Sequence, residues 1–220
     1  MVNWNLYLSR YQQTHGGSFF GSGEWDCNCQ LILPQEDKQP LLVLFSADPC
    51  GRSTVNKLRA RTMVRLNRPY KLRIGPRSLV GSGVSGMAGL VGKAMDFGFS
   101  ETKGRVITTD NKPFTKLVLG DLALRNALKA RKADQLEIRP GPQQDGWHMV
   151  EVSPNTLEGL MRDSSPWVND AMEQDVSFMT EEDKAAMLRL GSAHFDGQMD
   201  AFLDFLRAAR DAVTMWPIQS

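Results

Sequence analysis

The side chains best suited to proton transfer, nucleophilic attack or metal ligation are few: three histidines and three cysteines in 220 residues. His15 sits beside Gly16-Gly17, His148 within an alternating apolar run, and His194 in the last helical stretch. None belongs to a His-Glu-x-x-His or Glu-x-x-His pair, and the chain has no Gly-x-Ser-x-Gly elbow. His148, with Asp145 and Glu151 close in sequence, is the candidate acid/base, although no nucleophile accompanies it. Cys27, Cys29 and Cys50 with His15 would make a zinc set, but Cys-x-Cys is tighter than the usual knuckle. Cys27 and Cys29 also share the parity of Leu31 and Leu33, which makes them buried small hydrophobes. The expectation is no metal and no cofactor.

Charge offers a second kind of chemistry. Nine basic residues fall between Arg52 and Arg77, and no Asp or Glu occurs between Asp48 and Asp96. Lys57, Arg59, Arg61 and Arg65 alternate with apolar residues, and Lys71 with Arg73 repeats the scheme. Side chains two apart on a strand lie on one face about 6.5–7 Å apart, a spacing that suits a row of anionic groups. The net charge of +1 hides a division. Residues 49–95 carry ten basic and no acidic side chains, whereas residues 151–211 carry thirteen acidic and five basic. Such a chain folds acid onto base or presents two faces to different partners. The partners that fit are an acidic protein surface (the chain's own C-terminal helix or another chain), an anionic lipid surface, or a nucleic acid. The single nearby aromatic, Tyr70, argues against a single-stranded nucleic acid, which normally stacks on several rings.

The basic block runs into glycine. Gly81, Gly83 and Gly86 form a G-x-G-x-x-G match, in which glycines let the backbone approach a pyrophosphate at a helix N-terminus. Its surroundings are wrong for a dinucleotide site, because the preceding strands read as antiparallel and no strand–helix alternation follows. Gly92-Lys93 also fails as a phosphate loop: the preceding glycine is one residue too distant and Ala94 replaces the Ser or Thr that would hold magnesium.

The elements that must position these residues follow from periodicity. Trp4, Tyr7, Leu8 and Tyr11 predict an N-terminal helix over 3–13, capped by Asn3 and ended by Gly16-Gly17. Alternation from Cys27 to Leu33, the apolar run Leu41–Phe45, alternation from Lys57 to Leu66, and Tyr70–Ile74 predict four strands. Pro34 to Gln39 and Asp48-Pro49-Cys50-Gly51 read as loops. The short connections favour an antiparallel meander, which sets the two basic strands side by side. A small-residue helix is expected near 87–95, a strand at 105–109, helices capped by Asp110 or Asn111 and by Asp121, and a hairpin joining Leu136–Arg139 to Trp147–Val152.

The last element is the strongest. Thr180 and Asp183 form a capping pair. Phe195, Met199, Phe202, Leu206, Ala209, Val213 and Trp216 make a heptad-like stripe, with a kink or break expected where Gly191 and Gly197 weaken its first half. The stripe serves either to dock on the domain or to pair two copies.

The expected architecture is α+β: a mainly antiparallel sheet of about six to eight strands with an N-terminal helix, a mid-chain helix and a long C-terminal helix packed on it. The expected organisation is an antiparallel core over 1–152, an irregular strap or linker over 153–179, and the amphipathic helix over 180–220. Unpaired cysteines, no apolar run near membrane-span length and no secretory pattern at the start point to a cytoplasmic protein. The function that fits is a non-enzymatic binding or scaffold domain presenting Lys57, Arg59, Arg61, Arg65, Lys71 and Arg73 to an acidic partner or anionic surface. The alternative is an enzyme on a phosphorylated or nucleotide-like substrate, using Gly81–Gly92, neighbouring arginines and His148.

Overall fold

The computed structural model describes residues 4–21, 28–50, 53–76, 95–142, 145–155 and 180–218, with main chain alone at 47–50, 53–56 and 184. Eight strands and four α-helices account for most of them. Helix α1 is Trp4–His15; strands β1 (Ser18–Gly21), β2 (Cys29–Gln35), β3 (Lys38–Cys50), β4 (Ser53–Arg65) and β5 (Leu72–Pro76) follow. Then come β6 (Arg105–Thr109), α2 (Lys112–Gly120), α3 (Leu122–Ala130), β7 (Gln135–Pro140), β8 (Trp147–Ser153) and α4 (Glu181–Thr214). The strands hydrogen-bond in the order β1-β2-β3-β4-β8-β7-β5-β6. Antiparallel register joins β1 to β2, β2 to β3, β4 to β8, β8 to β7, β7 to β5 and β5 to β6. The α+β architecture read from the sequence is thus the one observed. Among the described residues no helix is long and apolar enough to cross a membrane.

The chain divides into two compact units, residues 1–59 with 156–201 and residues 60–155 with 202–220. The first is built on α1, whose Trp4, Tyr7, Leu8 and Tyr11 are all buried. Trp4 stacks on Phe45 of β3 at 5.1 Å, and Tyr7 stacks on Phe195 of α4 at 5.2 Å. Strand β1, which the sequence reading did not anticipate, is four residues long and pairs Ser18–Gly21 with Ile32–Cys29. Gly17 admits it: its φ is +93°, and a Cβ there would stand 2.1 Å from the Ile32 carbonyl oxygen. The β2–β3 turn is shorter than expected, because Gln35 already pairs with Lys38. Asp37 takes the left-handed conformation (φ 54°) that such a two-residue turn requires. Pro34 lies in β2 at the register shift between Leu33 and Gln35, where a missing N–H is tolerated. Asp48, Pro49 and Cys50 form the end of β3 where a loop was expected; sheet pairing overrides their local turn chemistry.

In the second unit burial alternates along the strands apart from Gly75 of β5, with His148, Val150 and Val152 buried on β8 and Leu136 and Ile138 on β7. Leu72 and Ile74 of β5, Phe114 and Val118 of α2, and Leu124 and Leu128 of α3 join this core. The caps form as their sequence signals imply: Asn111 Oδ1 accepts from Phe114 N at 3.0 Å, and Asp121 Oδ1 from Leu124 N at 2.7 Å. Arg105 closes the other end of α3 from within the core. Its Nη2 donates to the carbonyls of Leu128 and Arg131, and its Nη1 to that of Asp134, at 2.9, 2.6 and 2.9 Å. A guanidinium there satisfies orphaned carbonyls and complements the helix dipole.

Helix α4 opens on the Thr180–Asp183 pair, with Asp183 N donating to Thr180 Oγ1 at 3.2 Å. It then runs unbroken for 34 residues. The break expected at Gly191 or Gly197 does not occur. Two interior glycines cost about 1 kcal/mol each, and full burial of Phe195 and Met199 between and beyond them outweighs that. Six of the seven stripe residues are buried; Trp216 lies past the helix end and is 47% exposed.

Candidate functional site

The strand order rearranges the basic face. Lys71 and Arg73 do not lie beside the β4 cations, because the β7–β8 hairpin inserts between β4 and β5. Local alternation carries no information about which strands become neighbours, so the side-by-side expectation fails on topology. Lys57 and Arg59 belong to the first unit; Arg61, Arg65, Lys71 and Arg73 belong to the second. These second-unit cations all occupy the outward parity of their strands, opposite the buried residues.

Register turns that parity into a row. Arg61 of β4 pairs with Glu151 of β8, Glu151 with Glu137 of β7, Glu137 with Arg73 of β5, and Arg73 with Thr108 of β6. Two carboxylates therefore stand side by side between two arginines. Like charges directly opposite each other repel, and the flanking cations offset this. Arg61 Nε donates to Glu151 Oε2 at 2.5 Å, with both side chains largely covered. Arg139 Nε lies 3.6 Å from Glu137 Oε1, and Arg73 Nη2 donates to Gln135 Oε1 at 3.4 Å. The acid that answers Arg61 thus comes from the adjacent hairpin. The described ion pairs of α4 include Arg207–Asp204 and Arg210–Asp211.

One step along the strands the composition changes. Met63 pairs with Met149, which pairs with Arg139, and Arg65 pairs with Trp147. Outward-facing methionine, tryptophan and arginine together form the residue mixture enriched at protein interfaces. Met63 reaches over Gly141, where an added Cβ would come within 3.3 Å of its Cε. Lys71 and Arg65 are exposed, Arg61 and Arg73 half-buried. A cleft of about 390 Å³ opens over β6, β5 and β7, lined on the outward side by Lys71, Arg73, Thr108, Glu137 and Arg139.

His148 faces the other way. It is 1% exposed. Its Nε2 accepts from the main-chain N–H of Tyr70 at 3.0 Å, and its Nδ1 lies 2.9 Å from the Gly146 carbonyl, to which it donates. A backbone amide can only donate, so Nε2 is the accepting nitrogen and Nδ1 the donating one. With both nitrogens engaged inside the core, His148 has no position from which to exchange protons with a bound substrate. Tyr70 continues the network: its hydroxyl meets Thr115 Oγ1 at 2.7 Å, and Thr115 meets Thr109 Oγ1 at 2.8 Å. Burial pushes the Tyr70 phenol far above its usual range. These groups hold the start of β5 against α2.

Gly81, Gly83, Gly86 and Gly92 lie outside the described residues, as do Cys27, the 87–95 helix up to Ala94, and the strap from Thr156 onward. Cys29 is a buried thiol on the inward parity of β2. Among the described residues no group of three His, Cys, Asp or Glu side chains is arranged to hold a metal ion.

Glu137, Arg139, Thr108, Trp147 and the two methionines were not singled out from the sequence, and Glu151 was named only beside His148. The signal for some of them existed. Once Leu136–Arg139 and Trp147–Val152 are read as one hairpin, alternation puts Glu137 and Glu151 on its polar face. Their meeting with Arg61 and Arg73 depended on the strand order. No protein-family model matches the chain, and no curated protein or solved structure matches it.

Proposed function

We propose that this protein is a non-enzymatic binding domain whose second unit docks an acidic protein segment on the outward face of its sheet. The observation that carries this reading is the placement of Arg65, Lys71 and Arg139 around outward-facing Trp147, Met63 and Met149. Five cations (Arg61, Arg65, Lys71, Arg73, Arg139) share that face with two carboxylates, Glu137 and Glu151. Arg61 is committed to Glu151. A partner would therefore meet the peripheral cations through its acids and the methionine–tryptophan surface through an apolar anchor.

The alternative of an enzyme on a phosphorylated or nucleotide-like substrate required a proton-transfer residue, and His148 is unavailable for that role. The test is retention on immobilised poly-glutamate at increasing salt. Wild-type protein is retained at low salt and released as ionic strength screens the contacts. Arg65→Glu with Lys71→Glu abolishes retention while the circular-dichroism spectrum and melting temperature stay unchanged. Both positions are exposed, so the fold tolerates the reversal. Undiminished retention of that variant overturns the reading.

A further inference from the structure

We infer that the cleft over β6, β5 and β7 binds a phosphomonoester. The inference rests on the outward sheet face being the binding surface and names the group that its most concave part would take. The cleft measures about 390 Å³, large enough for a phosphoryl group and the first atoms attached to it. Arg73 and Thr108 face each other across β5 and β6, and Glu137 faces Arg73 across β5 and β7. Lys71 and Arg139 each lie two residues from Arg73 and Glu137 along their strands, so three cations and a hydroxyl converge on one opening. Leu72, Thr109 and Ile138 also line it, and since their side chains point to the core they supply main chain to its floor.

The charge arrangement selects the ligand class. Glu137 already stands 3.6 Å from Arg139 and opposite Arg73, which makes it a resident carboxylate among the cations. Asp110 accepts from the main-chain N–H of Lys71 at 2.9 Å, placing a second carboxylate at that end. A ligand with one negative charge would only exchange like for like with Glu137. A phosphomonoester brings close to two charges and three acceptor oxygens, and it can recruit several donors at once. Arg73 keeps its bond to Gln135 in such a complex, because a guanidinium carries five donors in a planar fork.

The source could be a small organic phosphate or a phosphorylated side chain on the docked partner, and two probes separate them. Amide resonances are followed while glycerol phosphate, or an acidic peptide carrying one phosphoserine, is titrated into the full-length protein. Both probes are expected to shift Lys71, Arg73, Thr108, Glu137 and Arg139. Tighter binding of the peptide assigns the source to a protein partner; equal binding assigns it to a small phosphate. Glu137→Gln is expected to tighten binding about two- to fivefold, the worth of one exposed charge pair. Lys71→Gln with Arg139→Gln is expected to weaken it by roughly tenfold, two such pairs' worth. Shifts confined to other residues, equal binding of the unphosphorylated peptide, or weaker binding by Glu137→Gln each overturns the proposal. Poly-glutamate retention alongside absent phosphate shifts would remove the cleft inference alone. Wild-type protein that is not retained on poly-glutamate but still shows the phosphate shifts would remove the docking reading instead.

Discussion

Arg61 and Glu151 face each other across β4 and β8 at 2.5 Å, and that ion pair makes it tolerable for Glu151 to lie opposite Glu137. Exposed ion pairs contribute about 0–1 kcal/mol, but here both partners are mostly covered, at 25% and 13% exposed. Replacing Arg61 with leucine leaves two adjacent carboxylates with one flanking cation removed. The expected cost is about 1–2 kcal/mol in urea unfolding, more than for a solvated pair and less than for a fully buried one. Adding Glu137→Gln should return part of that loss, because it removes the repulsion that Arg61 had masked. A double-mutant cycle measures the coupling; strictly additive effects would show that Arg61 does not screen Glu137 from Glu151.

His148 accepts the Tyr70 amide and donates to Gly146, so its role is to seat the chain entering β5. His148→Leu leaves the buried Tyr70 amide N–H without its partner, while the Gly146 carbonyl keeps the Leu66 N–H. The expected destabilisation is about 1–3 kcal/mol, the range for a buried donor left unsatisfied. Retention on poly-glutamate at a temperature where the variant is folded should match wild type. Lost retention by a folded variant would contradict a purely structural role.

Much of this molecule was legible along the chain and little of it across the chain. Alternation located β4 and the β7–β8 hairpin; side-chain caps located α2, α3 and α4. These signals are local, set by two- and four-residue relationships that any window of sequence contains. The place of β7 and β8 between β4 and β5 has no such signature, since it is decided by which apolar faces together close the core. The Arg61–Glu151–Glu137–Arg73 row was invisible for that reason, although each member's parity could be read. Gly191 and Gly197 make the converse case. Their weak helix propensity was correctly read, yet burial of Phe195 and Met199 decided the conformation.

Asp134 provides a test by pH. It is 5% exposed, and burial holds its pKa above the ordinary carboxylate value, partly countered by Arg131, whose Nε donates to Oδ2 at 2.7 Å, and by Arg105. A carboxyl with a raised folded-state pKa binds its proton more tightly when folded. Its contribution is therefore fully present below the unfolded value of about 3.9 and is lost as pH rises through the raised value. Asp134→Asn removes this dependence. Between pH 4 and 7, the difference in unfolding free energy, variant minus wild type, should rise with pH and level off above the raised value. A pH-independent difference would mean that Asp134 titrates alike in both states.

Gly197 offers a stabilising change. It lies inside α4 on the solvent side, and a Cβ added there meets no atom within 4 Å. Its neighbours two residues away on either side, Phe195 and Met199, are fully buried, so the helix is already held in place without any contribution from the glycine. Gly197→Ala reduces the freedom of the unfolded chain and removes no native contact, for an expected gain of about 0.5–1 kcal/mol. In a chain of this size that corresponds to a rise in melting temperature of roughly 1–4 °C. Gly17→Ala is the control, since its Cβ would stand 2.1 Å from the Ile32 carbonyl oxygen at a φ of +93°. It should lower the melting temperature. A Gly197→Ala variant that melts lower than wild type would show that α4 bends at that residue in solution.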